Sequence, residues 1–495
     1  MAQKGRCNVN KAIRLSVSAL GLAGALAWWG CHSSTTAASK PSLKISQIDL
    51  GKAIQVTLPQ PKSILQPASF RTADGKTGWV LRIPGDRPIA TPAYADGMIF
   101  VGGGYGSHEF YAFDADSGAL RWKVQTGDDG PTAAVVEDGY VAFNTESCTI
   151  IVVDEKTGKV VWQKWLGDPL MSQPAIYKGQ IFMAYPGGQR GAKSNAEGSH
   201  RLSSMDLKTG TNRWEQVISS DVISAPVISD GKVYATCFDG TSYAFEVDTG
   251  KLLWKKENSG TTAPVISKGQ VIISQKQTEG ANSYEGLVRM DAVQGNQKDK
   301  VPLTKKAAKY LDEGKGGGVG VSSQQAASLD SSVGFANAPQ SAELGKASKN
   351  VGVNTVVGGW AYQGSRAVVS KGKVLNSQGV HLHSVDATSG KIAWQAEMKG
   401  AGVKDDSQVF SPPASGRDYL YLTGSLGHMV SVRQSDGQVG FSYALGQAMA
   451  FQPALANGNL YAGTTNGLVI CLRTQNKDAD GWYEWGGNAQ HNKTF

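Results

Sequence analysis

From about residue 70 onward, apolar residues come in short alternating or continuous runs. Examples are "MIFVGG" (Met98–Gly103), "YVAFN" (Tyr140–Asn144), "QIFMAY" (Gln180–Tyr185), "KVYATC" (Lys232–Cys237) and "NLYAGT" (Asn459–Thr464). Gly, Asp, Asn, Ser or Thr bound each run. This pattern predicts short β-strands with tight turns between them.

The runs belong to a repeat. "AFDADSGALRW" (Ala112–Trp122) returns as "VVDEKTGKVVW" (Val152–Trp162), "SMDLKTGTNRW" (Ser204–Trp214), "AFEVDTGKLLW" (Ala244–Trp254) and "SVDATSGKIAW" (Ser384–Trp394). In each copy a Gly stands four residues and a Trp eight residues after an acid. "SVRQSDGQVGF" (Ser431–Phe441) and "SFRTADGKTGW" (Ser69–Trp79) keep the spacing with Arg in place of the acid. A second phrase, Pro followed by a polar-Gly turn and an aliphatic-aromatic strand, precedes most copies, as in "PAYADGMIFVGG" from Pro92 and "PVISDGKVYATC" from Pro226.

Each unit therefore predicts a four-stranded antiparallel meander of about 40 residues, the size of a propeller blade. Eight units begin near Thr91, Pro131, Gln173, Ala225, Ala263, Arg366, Pro412 and Gln452. The fold class is all-β, an eight-bladed propeller over residues 69–495. The recurring Trp79, Trp122, Trp162, Trp214, Trp254 and Trp394 are structural wedges between blades, each with an indole N–H to place on a backbone group. The fifth unit, with Met290-Asp291, lacks its Trp.

A ring must hide its last edge. "GWVLRIPG" (Gly78–Gly85) is a spare strand ahead of the first unit, and the last unit lacks a fourth. The expectation is that the N-terminal strand completes the last blade, placing Trp79 against Leu468–Leu472. The rival is closure by "GWYEW" (Gly481–Trp485). Residues 297–351, rich in Lys, Gly, Ser and Ala, break the pattern. They are expected to form a mobile insertion with one short helix near Ala307–Leu311.

The N-terminus departs from all this. Residues 1–14 are polar and basic, and Leu15–Cys31 is an apolar run of signal-peptide length, short for a membrane span. Ala25-Leu26-Ala27 offers ordinary cleavage. Gly30-Cys31 resembles the end of a bacterial lipobox, with Trp28 where Leu is usual. Residues 1–30 are then a signal peptide, Cys31 the lipidated residue, and 31–68 a flexible tether. The absence of Asp after Cys31 implies the outer membrane for such lipoproteins.

The chain carries +8, but Lys4, Arg6, Lys11 and Arg14 lie in the signal, so 8 − 4 = +4 remains. There is no basic run interleaved with aromatics, so nucleic acid is not an expected partner. Cys148, Cys237 and Cys471 lie in apolar strand contexts and read as buried thiols. No C-x-x-C occurs.

Blades ending in A-x-D-x-x-T-G-x-x-x-W resemble the pyrroloquinoline-quinone (PQQ) repeat family, over about residues 70–297 and 360–486. "WGGNAQHN" (Trp485–Asn492) also resembles a Trp-Gly-Gly-Asn segment of this group. The resemblance implies two functions. One branch oxidises alcohols or sugars with PQQ and Ca²⁺ on the propeller axis, often beside a disulfide of adjacent cysteines. This sequence has no adjacent Cys pair. The other branch uses the blades without cofactor, as scaffolds of outer-membrane β-barrel assembly.

Three local features are candidate chemistry. His381 and His383 share a strand face and are half a metal site, or plain strand histidines. "GGGYGSHEF" (Gly102–Phe110) is Gly-rich but precedes no helix, which favours a blade loop. Asn144 and Glu146 lie on a loop that in a propeller can face the axis. The expected function is a non-enzymatic periplasmic scaffold that binds other envelope proteins through loops at one end of the ring and needs no cofactor. The alternatives are a PQQ- and calcium-dependent dehydrogenase with a diverged site, and a binder of polysaccharide or a small ligand in the axial funnel.

Overall fold

The computed structural model describes residues 43–146, 148–167, 172–186, 200–279, 282–302, 350, 367–404 and 410–494. The expected signal peptide, Cys31 and the helix near Ala307–Leu311 lie outside these residues. Among them, strands form eight sheets. Blades 1 to 7 span 93–125, 135–165, 175–217, 227–257, 265–302, 368–399 and 414–444. Blade 8 takes 454–473 together with two strands from the N-terminal side.

Each blade is an antiparallel meander whose first strand lies innermost. The first strand of blade 1, Ala93–Ala95, touches those of blade 2, Val135–Glu137, and blade 8, Ala454–Ala456, which closes the ring. Eight apolar clusters fill the interfaces between blades. Phe110 stacks on Phe143 between blades 1 and 2, with centroids 3.9 Å apart. Cys237 and Phe245 lie between blades 3 and 4.

The repeat's spacing has a direct cause. Asp154 accepts hydrogen bonds from the Thr157 N–H (2.9 Å) and hydroxyl (2.6 Å), and so builds the turn. Asp114, Asp206 and Asp386 do the same with Ser117, Thr209 and Ser389. Four residues on, the Gly takes a left-handed conformation (Gly158, φ 69°) and lies under the Trp of the preceding blade. The indole N–H of that Trp donates to the carbonyl of the residue after the acid, or after Arg433 in blade 7. The pairs are Trp79 to Ala115 (3.3 Å), Trp122 to Glu155 (3.0 Å), Trp162 to Leu207 (2.7 Å), Trp214 to Val247 (2.9 Å), Trp254 to Ala292 (3.2 Å) and Trp394 to Gln434 (2.8 Å).

Blade 5 fills its missing wedge differently. Asp299 stands where the Trp would be, paired across the strands with Arg289. The Arg289 guanidinium binds Asp299 and donates to the Ala387 carbonyl, the same position that a wedge indole would reach. Between blades 7 and 8, Phe441 packs on Tyr443 and lies beneath the Lys76 ammonium.

Closure follows the first expectation. Thr77–Arg82 pairs antiparallel with Leu468–Arg473, and Trp79 lies opposite Cys471. Two boundaries differ from the expected ones. Part of the segment expected to be tether is strand: Lys44–Asp49 adds a parallel strand to the outer edge of blade 6, and Ile54–Gln55 does so on blade 7. Ile48 and Leu50 are buried there, and short polar flanks hid these apolar anchors in the sequence. The expected insertion also starts too early, because Gln297–Pro302 is the fourth strand of blade 5.

Candidate partner-binding face and the sealed axis

The two ends of the ring differ. At one end lie the tight turns within blades. At the other lie the longer loops and the links between blades. At the loop end, three segments are knit together. Tyr105, in the Gly103–His108 loop of blade 1, donates its hydroxyl to Glu146 in the corresponding loop of blade 2. The Glu146 N–H donates to the Asp129 carbonyl (2.8 Å), and Thr145 donates its hydroxyl to Asp128. Burial raises the Glu146 carboxyl to about 7; the Tyr105 bond opposes this, while Asp129 and Asp128 push further up. Asn144 is fully buried, and its Oδ1 accepts from the Thr132 hydroxyl (2.7 Å), which fixes the loop base. Asn144 is thus structural, whereas Glu146 is a titratable group at the loop face.

The glycines of Gly102–Phe110 serve packing. A Cβ on Gly102 would come within 2.3 Å of the Pro131 carbonyl, and one on Gly104 within 2.6 Å of the Pro88 carbonyl. His381 and His383 are buried in blade 6, where His381 Nδ1 meets Gln395 Nε2 at 2.9 Å. No group of three or more His, Cys, Asp or Glu side chains is placed to hold a metal among the described residues. Cys148, Cys237 and Cys471 are buried in three different blades and form no disulfide, and burial pushes the Cys471 thiol up to about 12.

The other end is sealed by the segment beyond the last strand, which contains the rival closing string Gly481–Trp485. The C-terminal tail, 478–494, meets all eight blades. The Asp478 carbonyl accepts from Arg417 in blade 7 (3.0 Å), and Trp482 pairs with Leu455 in blade 8. The Tyr483 carbonyl accepts from Tyr94 in blade 1 (2.7 Å), and Gln490 Nε2 donates to the Glu137 carboxylate in blade 2 (2.9 Å). Ala489 and Gln490 accept from Ile176 (2.8 Å) and Ile228 (3.0 Å) in blades 3 and 4. Asn492 clasps Ile266 in blade 5, and Thr494 bridges to Val369 in blade 6. The left-handed Gly486 and Gly487 let the segment double back, so that His491 bonds the Trp485 carbonyl (2.7 Å). Trp485 packs among Ala225, Ala263 and Val227; Trp482 packs on Val368, Ala414 and Leu455. At the loop end, Ala90, Ala133, Ala450 and Phe451, from the links into blades 1, 2 and 8, pack together against Tyr105. The signal for this tail was present in its dense Trp and Gly residues beyond the last strand.

The model of the outer membrane protein assembly factor BamB family matches residues 68–201, 192–315 and 330–482. The chain belongs to this family. It is similar to BamB of Yersinia pestis, at 26% identity over 179 residues, which is 33% of this chain and 42% of that protein. It is also similar to BamB of Nitrosomonas eutropha, at 25% over 196 residues (36% and 44%). A tetrathionate hydrolase of Acidithiobacillus ferrooxidans matches at 26% over 234 residues (42% and 45%). The chain thus spans less than half the length of these relatives. Among solved structures, BamB from Moraxella catarrhalis superimposes with a TM-score of 0.52 at 15% identity, covering 82% of this chain and 98% of that one. A quinohemoprotein alcohol dehydrogenase from Pseudomonas putida HK5 gives 0.52 at 12% (84% and 78%). At these identities the shared property is the fold.

Proposed function

We propose that this protein is a non-enzymatic scaffold in the assembly of outer-membrane proteins, held in the periplasm by a lipid on Cys31. Its partners are other envelope proteins, bound by the loop end of the ring. Membership of the BamB family supports the process. What carries the scaffold reading is the packing of the axis. PQQ and Ca²⁺ would need a polar cavity there. Trp482, Trp485 and the buried His491 fill the axis from the turn end, where the tail meets every blade. Large buried side chains at that end support a ring without the cofactor, as do three cysteines that lie in separate blades. Loops held on a rigid ring are the usual place for recognition.

The test uses the full chain, tagged and extracted from envelope membranes with mild detergent. Co-purification of a β-barrel assembly complex, lost when loop-end residues are substituted, is the expected result. Dye-linked oxidation of an alcohol or aldehyde after addition of PQQ and Ca²⁺ would instead overturn the scaffold reading. Fatty-acid labelling should disappear in Cys31→Ser.

A further inference from the structure

The loops of blades 1 and 2 meet at Glu146, and three segments converge on it. Tyr105, from Gly103–His108, donates its hydroxyl to the Glu146 carboxyl. The link between the two blades supplies the rest. Its Gly130 N–H donates to the Ser107 carbonyl (2.8 Å), and its Asp129 carbonyl accepts from the Glu146 N–H (2.8 Å). The fit is close: a Cβ on Gly130 would lie 3.0 Å from the Glu146 Cβ. Glu146 is half-buried there, and the charged groups that act on its carboxyl are acids. The Asp129 side chain lies within hydrogen-bonding reach of it, and Asp128, held by the Thr145 hydroxyl, adds its charge. Arg87, from the segment entering blade 1, approaches Asp129 across Gly106, where a Cβ would lie 3.6 Å from Arg87 Nε and 4.0 Å from Asp129 Oδ2. Two carboxyls this close in a half-buried place do not both ionise readily.

We propose that Glu146 and Asp129 share a proton that latches the two loops together, and that its release to solvent loosens this part of the loop end. With the proton in place, Glu146 donates to Asp129 and accepts from Tyr105, so its carboxyl is satisfied on both sides. Without it, two carboxylates face each other across the junction, and the Tyr105 bond opposes their repulsion. The Glu146 carboxyl, raised to about 7 from 4.5, binds its proton more tightly in the closed junction than in an opened one. The closed junction is therefore fully stabilised below about pH 4.5 and loses that stabilisation as pH rises through about 7. Asn144, buried at the loop base with its bond from Thr132, confines the loosening to the loops. Where this end of the ring receives a partner, as the scaffold reading holds, the latch makes the receiving surface pH-dependent.

The experiment is amide hydrogen exchange of the full chain from about pH 5 to about pH 8.5, corrected for the intrinsic dependence of exchange on pH. Protection of the Gly130 and Glu146 amides should fall about tenfold or more across this range and then level off. Val141, in the body of blade 2, should show no such step. Glu146→Gln keeps an acceptor for Tyr105 and a donor for Asp129, so protection in that variant should not depend on pH. Tyr105→Phe removes the bond that favours the charged carboxyl, so the midpoint of the fall should move to higher pH. A merely structural tyrosine would lower protection at every pH and leave the midpoint in place. Should Glu146→Gln fail to fold, Asp129→Asn should move the fall to lower pH and make it smaller. A junction with no pH step, an equal step in Glu146→Gln, or an unmoved midpoint in Tyr105→Phe or Asp129→Asn would each overturn the latch. The isolated protein is measured, so such a result leaves the scaffold reading standing.

Discussion

At the scale of single residues, the repeat is a contact between a glycine of one blade and an indole of the blade before it. Gly158 meets two demands at once. Its φ is 69°, and a Cβ there would lie 2.6 Å from Trp122 Cε3. Gly139, in an earlier turn of the same blade, meets only the first, with φ 79° and nothing within 4 Å of a Cβ. Both Gly→Ala changes should lose about 1 kcal/mol to the left-handed backbone. Gly158→Ala should lose about 1–3 kcal/mol more, because the indole is held by its bond to Glu155 and cannot withdraw freely. Urea unfolding of the two variants measures the difference. Equal losses would mean that the wedge yields, and that Gly is retained at this position for φ alone.

At the scale of elements, the wedge is a property of a strand pair. Trp122, Trp162, Trp214, Trp254 and Trp394 each lie opposite a small or medium residue: Ala112, Val152, Ser204, Ala244 and Ser384. Only in blade 5 does a long side chain, Arg289, hold that place, and there the Trp is Asp299. The two substitutions belong together, since the guanidinium occupies the space an indole would need and requires a carboxylate beside it. Arg289→Ala should therefore cost about 2 kcal/mol or more, by leaving Asp299 and the Ala387 carbonyl without their donor. Adding Asp299→Trp should recover much of the loss, because Gly390 already stands ready in blade 6 (φ 69°). On Arg289 intact, the same Trp should destabilise. Thermal unfolding of the three variants checks this; a double variant no better than Arg289→Ala alone would show that the interface has diverged too far to accept the indole.

These pairs also mark the limit of what the sequence discloses. The period, the eight units, the structural role of each Trp and closure by Gly78–Gly85 follow from spacing, because each copy must solve the same packing problem. The exchange at Arg289 is visible only once the register between strands is known. The edge strands Lys44–Asp49 and Ile54–Gln55 were hidden for a similar reason. A strand added to an existing edge buries one face lightly, so it needs only a few apolar anchors, such as Ile48, and leaves no periodic signal.

At the scale of the whole molecule, two terminal segments bind the ring in different ways. The N-terminal segment runs along the rim of blades 6, 7 and 8, and the tail crosses the centre and touches every blade. A rim strand can fray without disturbing the opposite side. The tail cannot, because its bonds to Tyr94, Ile176, Ile228 and Ile266 depend on one folded segment, held around Trp485, which is 1% exposed. Trp485→Ala should cost about 3–5 kcal/mol by leaving a cavity on the axis. Its signature should be spatial. Amide hydrogen exchange at Tyr94, Ile176 and Ile228, in blades 1, 3 and 4, should accelerate together, because the tail's local opening exposes all three N–H groups in one event. Deletion of residues 43–56 should accelerate exchange in the outer strands of blades 6 and 7 and leave those three amides protected. If Trp485→Ala releases only the amides of blades 4 and 5, which its indole contacts, the tail is a set of local patches and each blade is held by its own wedge.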